Sequence, residues 1–121
     1  KKTIQEDCWQ QIGEDYSIYL TKNLEQAIMG ERWFIHLADD MLPISTRKKQ
    51  VGDRIHIKGM DSPKKISRLF IDEKISLKDR QVWPLLVDQN NDILAVVGLR
   101  YDERFSKEYR LQDYAIYIKY D

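Results

Sequence analysis

The sequence predicts an α+β fold, and three observations carry that prediction. Short runs of aromatic and β-branched residues recur along the chain, YSIYLTK and DYAIYIKY being the clearest, and they read as strands. Between them, two stretches carry helix-start signals: Ser62 followed by Pro63, and the Ser-x-x-Asp of Ser76 to Asp79. A length of 121 residues suits one compact unit over 1–121 with a single core.

In chain order, Ile4, Cys8, Trp9 and Ile12 fall at helical spacing in TIQEDCWQQI. A short amphipathic helix is expected there, with Cys8 on its core side and Gly13 ending it. Tyr16 to Lys22 is a strand, and NLEQAIMG a helical turn stopped by Gly30. Arg32 to Asp39 and Leu42 to Arg47 are two further strands joined by an Asp-Asp-Met turn, in which Asp39 and Asp40 are turn formers. Gly52, Gly59 and Pro63 then punctuate a basic stretch of loop and short strand. Ser62 is placed to cap a helix whose first residue is Pro63, with Ile66, Leu69 and Phe70 as its buried stripe. That start puts Lys64 and Lys65 in a first turn, where positive charge opposes the helix dipole unless an anion docks there. A second short helix opens at Ser76 and closes before Trp83 and Pro84. Two apolar runs around Gln89 to Asp92 form a hairpin, because Asn tolerates the positive φ of a tight turn, and the last run is a closing strand.

The formal net charge is zero, but it is unevenly spread. Residues 47–80 hold 11 basic and 5 acidic groups, while both flanking segments are net acidic. An excess of that size within one stretch is either a footprint for a polyanion or a solvated polar face. No apolar run approaches the roughly 20 residues of a spanning helix, and one cysteine cannot make an internal disulfide, both of which suit a cytoplasmic setting. The start Lys1-Lys2-Thr3, without methionine, points to a fragment of a longer protein.

Catalytic patterns are missing. The chain has no glycine-rich phosphate loop and no Cys or His cluster at zinc spacing, and His36 and His56 lie on different predicted strands as packing or hydrogen-bonding residues. Asp72 and Glu73, like Asp102 and Glu103, read as partners for nearby arginines, and Trp9, Trp33 and Trp83 as core. No catalytic residue and no metal ligand is assigned.

The segment RKKQVGDRIHIKGMDSPKKISRLFIDEKISLKDRQVWPLLVDQNNDILAVVGLRYDERF, Arg47 to Phe105, resembles the C-terminal domain of bacterial tRNA(Ile)-lysidine synthetase. The likeness rests on the order of an Arg before Gly-Asp-Arg, Lys-Gly, Lys-Lys, Leu-Phe-Ile-Asp, Trp-Pro, and Gly-Leu-Arg before Asp-Glu-Arg-Phe. Val51 stands where the family usually has proline, and Ala95 and Val97 replace a common tryptophan and proline, which leaves the packing of that hairpin open. The resemblance implies compact β-sandwich-like sheets with short helices, as in the β subunit of phenylalanyl-tRNA synthetase. It implies a parent enzyme that uses ATP, with magnesium, to adenylate the wobble cytidine of an isoleucine tRNA before lysine displaces AMP. That chemistry belongs to a catalytic domain whose Ser-Gly-Gly-x-Asp-Ser loop is missing here. This part of the chain would grip the tRNA acceptor stem.

On that reading Arg47, Arg54, Lys58, Lys64, Lys65 and Arg68 converge on an RNA backbone from a loop and a helix start. Arg100 and Arg104 extend the patch, or Arg104 pairs internally. Asp53 belongs to loop structure, and Gly52 and Gly59 allow a bend, a close approach or a plain turn. The competing reading is a protein-docking or structural module, marked by a contiguous exposed apolar patch.

Overall fold

The computed structural model describes residues 1–22, 31–35, 42–103, 105–106 and 114–120. The expected helical turn at 23–30, the turn at 39–41, and His36 and Arg104 lie outside these residues, as does the side chain of Trp33.

Twelve strands and two short helices are described. They are β1 (Lys2–Thr3), β2 (Trp9–Ile12), β3 (Tyr16–Thr21), β4 (Glu31–Ile35), β5 (Ser45–Arg47), β6 (Arg54–Ile55), β7 (Lys64–Lys65), α1 (Ile66–Asp72), α2 (Leu77–Val82), β8 (Leu85–Val87), β9 (Ile93–Val96), β10 (Arg100–Tyr101), β11 (Phe105–Ser106) and β12 (Tyr114–Tyr120). One five-stranded sheet runs β1-β5-β8-β9-β10 and another β11-β4-β12-β3-β2, while β6 and β7 form a separate ribbon. Every strand pair is antiparallel. The expected α+β class is therefore observed.

Alternation along the strands explains the layers. Ile18 and Leu20 of β3 with Tyr114, Ile116 and Ile118 of β12 join Leu86, Leu94 and Ala95 of the first sheet in one apolar cluster. That cluster is the seam between the two sheets. Leu85, Val87, Ile93 and Val96 point to the other side of the first sheet, where Ile66, Leu69 and Phe70 of α1 cover them with Ile55 of β6. A register shift between Leu86 and Val87 leaves Leu94 without a cross-strand partner, so both Leu94 and Ala95 reach the seam. Ala95 and Val97 are fully buried, so the hairpin packs tightly without the tryptophan and proline of the family pattern.

Two expectations are overturned. The helix expected at Thr3 to Ile12 is instead β1, a connection and β2. Asp7 takes the left-handed conformation at φ 61°, Ile4 donates its N–H to Ile44, and Trp9–Ile12 pairs with β3. The helical spacing of Ile4 and Ile12 came from two separate anchors in the sheets. Cys8 is consequently exposed rather than core, while Gly13 sits in the β2–β3 turn.

The helix expected to start at Pro63 starts at Ile66. Lys64 and Lys65 are extended and pair with Ile55 and Arg54, and the Ile66 N–H donates to the Asp53 carbonyl. With a partner strand available, the ladder takes residues whose local signal favours a helix start. Lys65 occupies the cap position without a side-chain capping bond. Two further expectations hold: Ser76 caps α2 by accepting from the Asp79 N–H at 3.1 Å, and Asn91 has φ 67° in the β8–β9 turn.

Candidate nucleic-acid interface

The basic stretch forms a braced loop followed by the β6–β7 ribbon. Arg47, at the end of β5, points inward with its side chain 5% exposed. Its guanidinium donates to both carboxylate oxygens of Asp53 at 2.8 and 2.9 Å, to Asn91 Oδ1 at 2.9 Å and to the Lys48 carbonyl at 2.9 Å. The Gln50 N–H donates to Asp53 at 2.7 Å, closing the turn. Burial pushes the Asp53 carboxyl up, but the hydrogen bonds from Arg47 and the Gln50 amide outweigh it and hold it below its ordinary value. Arg47 is thus the inner brace of the loop. Four of its five N–H donors are engaged by protein, so its charge is spent mainly on Asp53 rather than on a phosphate-facing surface.

Arg54 and Lys65 are the residues the fold brings together. They are direct cross-strand partners in the ribbon, both exposed, and neither has an ion pair among the described residues. Like charges opposite each other cost roughly 0.2–1 kcal/mol. With Lys49, Gly52 and Ser67 they line an open hollow of about 290 Å³. Its one carboxylate, Asp53, is already clamped by Arg47. An anion entering there would relieve the repulsion between the two cations and accept from the guanidinium fork. Gly52 has φ 88°, the left-handed conformation its turn requires, with nothing within 4 Å of where a Cβ would stand; Gly59 has the same geometry.

The other expected cations are dispersed or neutralised. Lys64 lies opposite Ile55 and reaches Asp72 at 2.7 Å, and Arg68 reaches the same carboxylate at 3.2 Å. The hydrogen bond from Lys64, with the nearby Arg68 charge, holds the Asp72 carboxyl below its ordinary value. Arg100 pairs with Glu73 at 2.6 Å. Asp72 and Glu73 are arginine partners, as expected. Lys58 is exposed in the Ile57–Met60 turn and does not line this hollow. Lys49, which charge counting covered but no site reading singled out, lines this hollow, and Lys48 beside it is exposed. Their signal was adjacency to the Arg47 that anchors them.

Trp83 fits its expected structural role, half-buried with its indole N–H donating to the Val97 carbonyl at 2.8 Å. Trp9 packs on Tyr19 and lies 4.3 Å below the Lys119 ammonium. His56 is exposed, and its backbone exchanges bonds with Asp102 and Glu103. Among the described residues no group of three or more His, Cys, Asp or Glu side chains is placed to hold a metal ion, and no helix is long and apolar enough to cross a membrane.

Comparison with known proteins matches a family model, the TilS substrate C-terminal domain, over residues 44–117. Similar curated proteins include the tRNA(Ile)-lysidine synthase of Bacillus subtilis (strain 168), 40% identical over 58 residues, 48% of this chain and 12% of that protein. The enzyme of the same name from Geobacillus kaustophilus (strain HTA426) is 35% identical over 92 residues, 75% of this chain and 20% of that protein. The chain thus spans a fifth or less of the length of these relatives. A solved structure described as "Crystal structure of TILS C-terminal domain" superposes with a TM-score of 0.70 at 24% identity, covering 94% of this chain and 95% of that one. At that identity the likeness establishes the fold, two packed sheets with short helices.

Proposed function

Since the chain belongs to the TilS substrate C-terminal domain family, we propose that it is the tRNA-gripping part of a tRNA(Ile)-lysidine synthase, binding acceptor-stem backbone through the β6–β7 ribbon. One observation carries the reading: Arg54 and Lys65 are set side by side and exposed, with no carboxylate of the described chain neutralising them. A fold gains nothing from that juxtaposition unless an anion completes it. An A-form duplex offers phosphates and 2′-hydroxyls across a shallow surface, and an arginine with a lysine in one hollow suits that target.

On this reading the parent enzyme converts the wobble cytidine of an isoleucine tRNA to lysidine with ATP and lysine in the cytoplasm. The residues here do not fit a magnesium–nucleotide site: the sequence has no phosphate loop, and no metal-ligand cluster occurs among the described residues. ATP and magnesium are therefore assigned to the rest of the longer chain, which is the second partner beside tRNA. This segment contributes affinity and no bond-making group.

The test compares Arg54→Ala with Lys65→Ala against Lys64→Ala with Arg68→Ala, titrating an acceptor-stem duplex at several salt concentrations. The first pair should weaken binding and flatten the salt dependence, each lost phosphate contact lowering the log–log slope by roughly 0.7 to 0.9. The second should change both much less, because those cations serve Asp72. Equal effects of the two pairs would refute the ribbon as the grip.

A further inference from the structure

Two further hollows adjoin that of the ribbon, and their linings carry opposite charge. The larger, about 810 Å³, is lined by Lys2 of β1 and by Lys48 and Lys49 of the braced loop, and no Asp or Glu lines it. Arg47 lines it too but is committed to Asp53. Lys2 is held beside the loop by pairing across β1–β5 with Thr46, and its ammonium donates to the Gln11 carbonyl at 3.3 Å. Neither Lys48 nor Lys49 has an ion pair among the described residues. Lys49 also lines the hollow of Arg54 and Lys65, so the two cationic surfaces are continuous.

The other neighbour, about 570 Å³, shares Gly52, Asp53 and Arg54 with the ribbon's hollow. Asp92, Asp102 and Glu103 line it beside Arg54 and His56. Asp102 is buried and accepts from the His56 backbone N–H, whereas Asp92 and Glu103 are exposed and have no ion pair among the described residues.

An RNA backbone carries one charge per nucleotide, so it extends beyond any single contact. From Arg54 and Lys65 it can continue over either neighbouring hollow, and charge decides between them. Within a Debye length of about 8–10 Å, exposed carboxylates repel phosphates and ammonium groups attract them. A hollow of about 810 Å³ is much larger than one phosphate, so its lysines suit successive phosphates of a chain. Lysine is a point charge on a flexible stem and makes no demand for a fixed fork, unlike the guanidinium of Arg54.

We infer that the RNA backbone leaves the ribbon by way of Lys49 and runs along Lys48 and Lys2, while Asp92 and Glu103 close the other direction. The inference rests on the proposed function and adds a path to the grip: the ribbon anchors the backbone and the lysine rim lengthens the footprint.

The test uses the 121-residue chain and an acceptor-stem duplex, titrated at several salt concentrations. Lys48→Gln with Lys49→Gln should weaken binding and lower the log–log slope by about 1.4 to 1.8, for two phosphate contacts at roughly 0.7 to 0.9 each. Lys48→Arg with Lys49→Arg should keep both near the native values, because the rim supplies charge alone. Lys58→Gln with Lys78→Gln removes as much charge from exposed positions that line none of the three hollows, and should lower the slope far less. Asp92→Asn with Glu103→Gln should leave binding as tight or tighter. Equal effects of the two Lys→Gln pairs would overturn the path and leave the ribbon reading standing; so would weaker binding by the Asp92 and Glu103 variant, which would put RNA on that side. If Arg54→Ala with Lys65→Ala has no effect, the ribbon reading falls, and the path that starts from it falls as well.

Discussion

Arg47 and Asp53 close a two-pronged ion pair, at 2.8 and 2.9 Å, beneath the loop that carries Lys48 and Lys49. The arginine belongs to the last residue of a central strand and the aspartate to the residue before the ribbon, so the pair joins the first sheet to the proposed grip.

Arg47→Ala leaves a largely buried carboxylate without its partner, which costs about 3 kcal/mol. Chemical denaturation should register a loss of that order. Arg47→Lys should recover little of it, since an ammonium cannot fork onto both oxygens and also reach Asn91. The pH dependence has a definite sign. The Asp53 carboxyl lies below its ordinary 3.8 in the folded chain, so the pair's contribution is complete above that value and is lost as pH falls through the lowered one. The stability difference between the native chain and Asp53→Asn should therefore be largest near neutrality and shrink in acid below about pH 4. A difference independent of pH would show that the charge on Asp53 is not what holds the loop.

Asp72→Asn removes the carboxylate that occupies both Lys64 and Arg68. RNA affinity should rise by a factor of a few, with a steeper salt dependence, as two cations beside the ribbon become available. Stability should change little, because exposed pairs contribute only about 0–1 kcal/mol. Equilibrium binding at two salt concentrations checks the first statement; unchanged affinity would mean that those side chains cannot reach the RNA.

Gly98→Ala should destabilise the fold by roughly 1–3 kcal/mol, measured by thermal or chemical unfolding. Gly98 has φ 77°, and an added Cβ would stand 2.6 Å from the Tyr16 hydroxyl. Tyr16 cannot retreat easily, for its ring packs between Trp83 and Tyr120 with centroids 6.0 and 5.5 Å away. Gly52→Ala meets only the backbone cost, since nothing lies within reach of its Cβ. The Gly98 substitution should be the more damaging of the two.

Much of this architecture was legible where the local signal and the tertiary arrangement agree. The Asn90-Asn91 turn, the Ser76 cap, the Tyr16–Thr21 strand and the closing strand each follow from short-range chemistry that the packed structure keeps. The failures share a cause. At Trp9–Ile12 and at Lys64–Lys65 a strand partner distant in sequence overrides a plausible helical pattern, and no window around either segment contains that partner. The basic stretch was legible as a patch, but its internal division was not. Whether an arginine faces solvent or a buried aspartate depends on strand register, which is why Arg47 and Arg54, both flanking the same turn, take opposite roles.

Arg54 and Lys65 each adjoin an isoleucine with no exposed surface, Ile55 and Ile66. Their main chains are therefore immobilised when the chain folds, well before any RNA arrives. On the proposed reading an RNA backbone would have only the outer reaches of two side chains left to order, a low entropic toll on association for so small a set of charges.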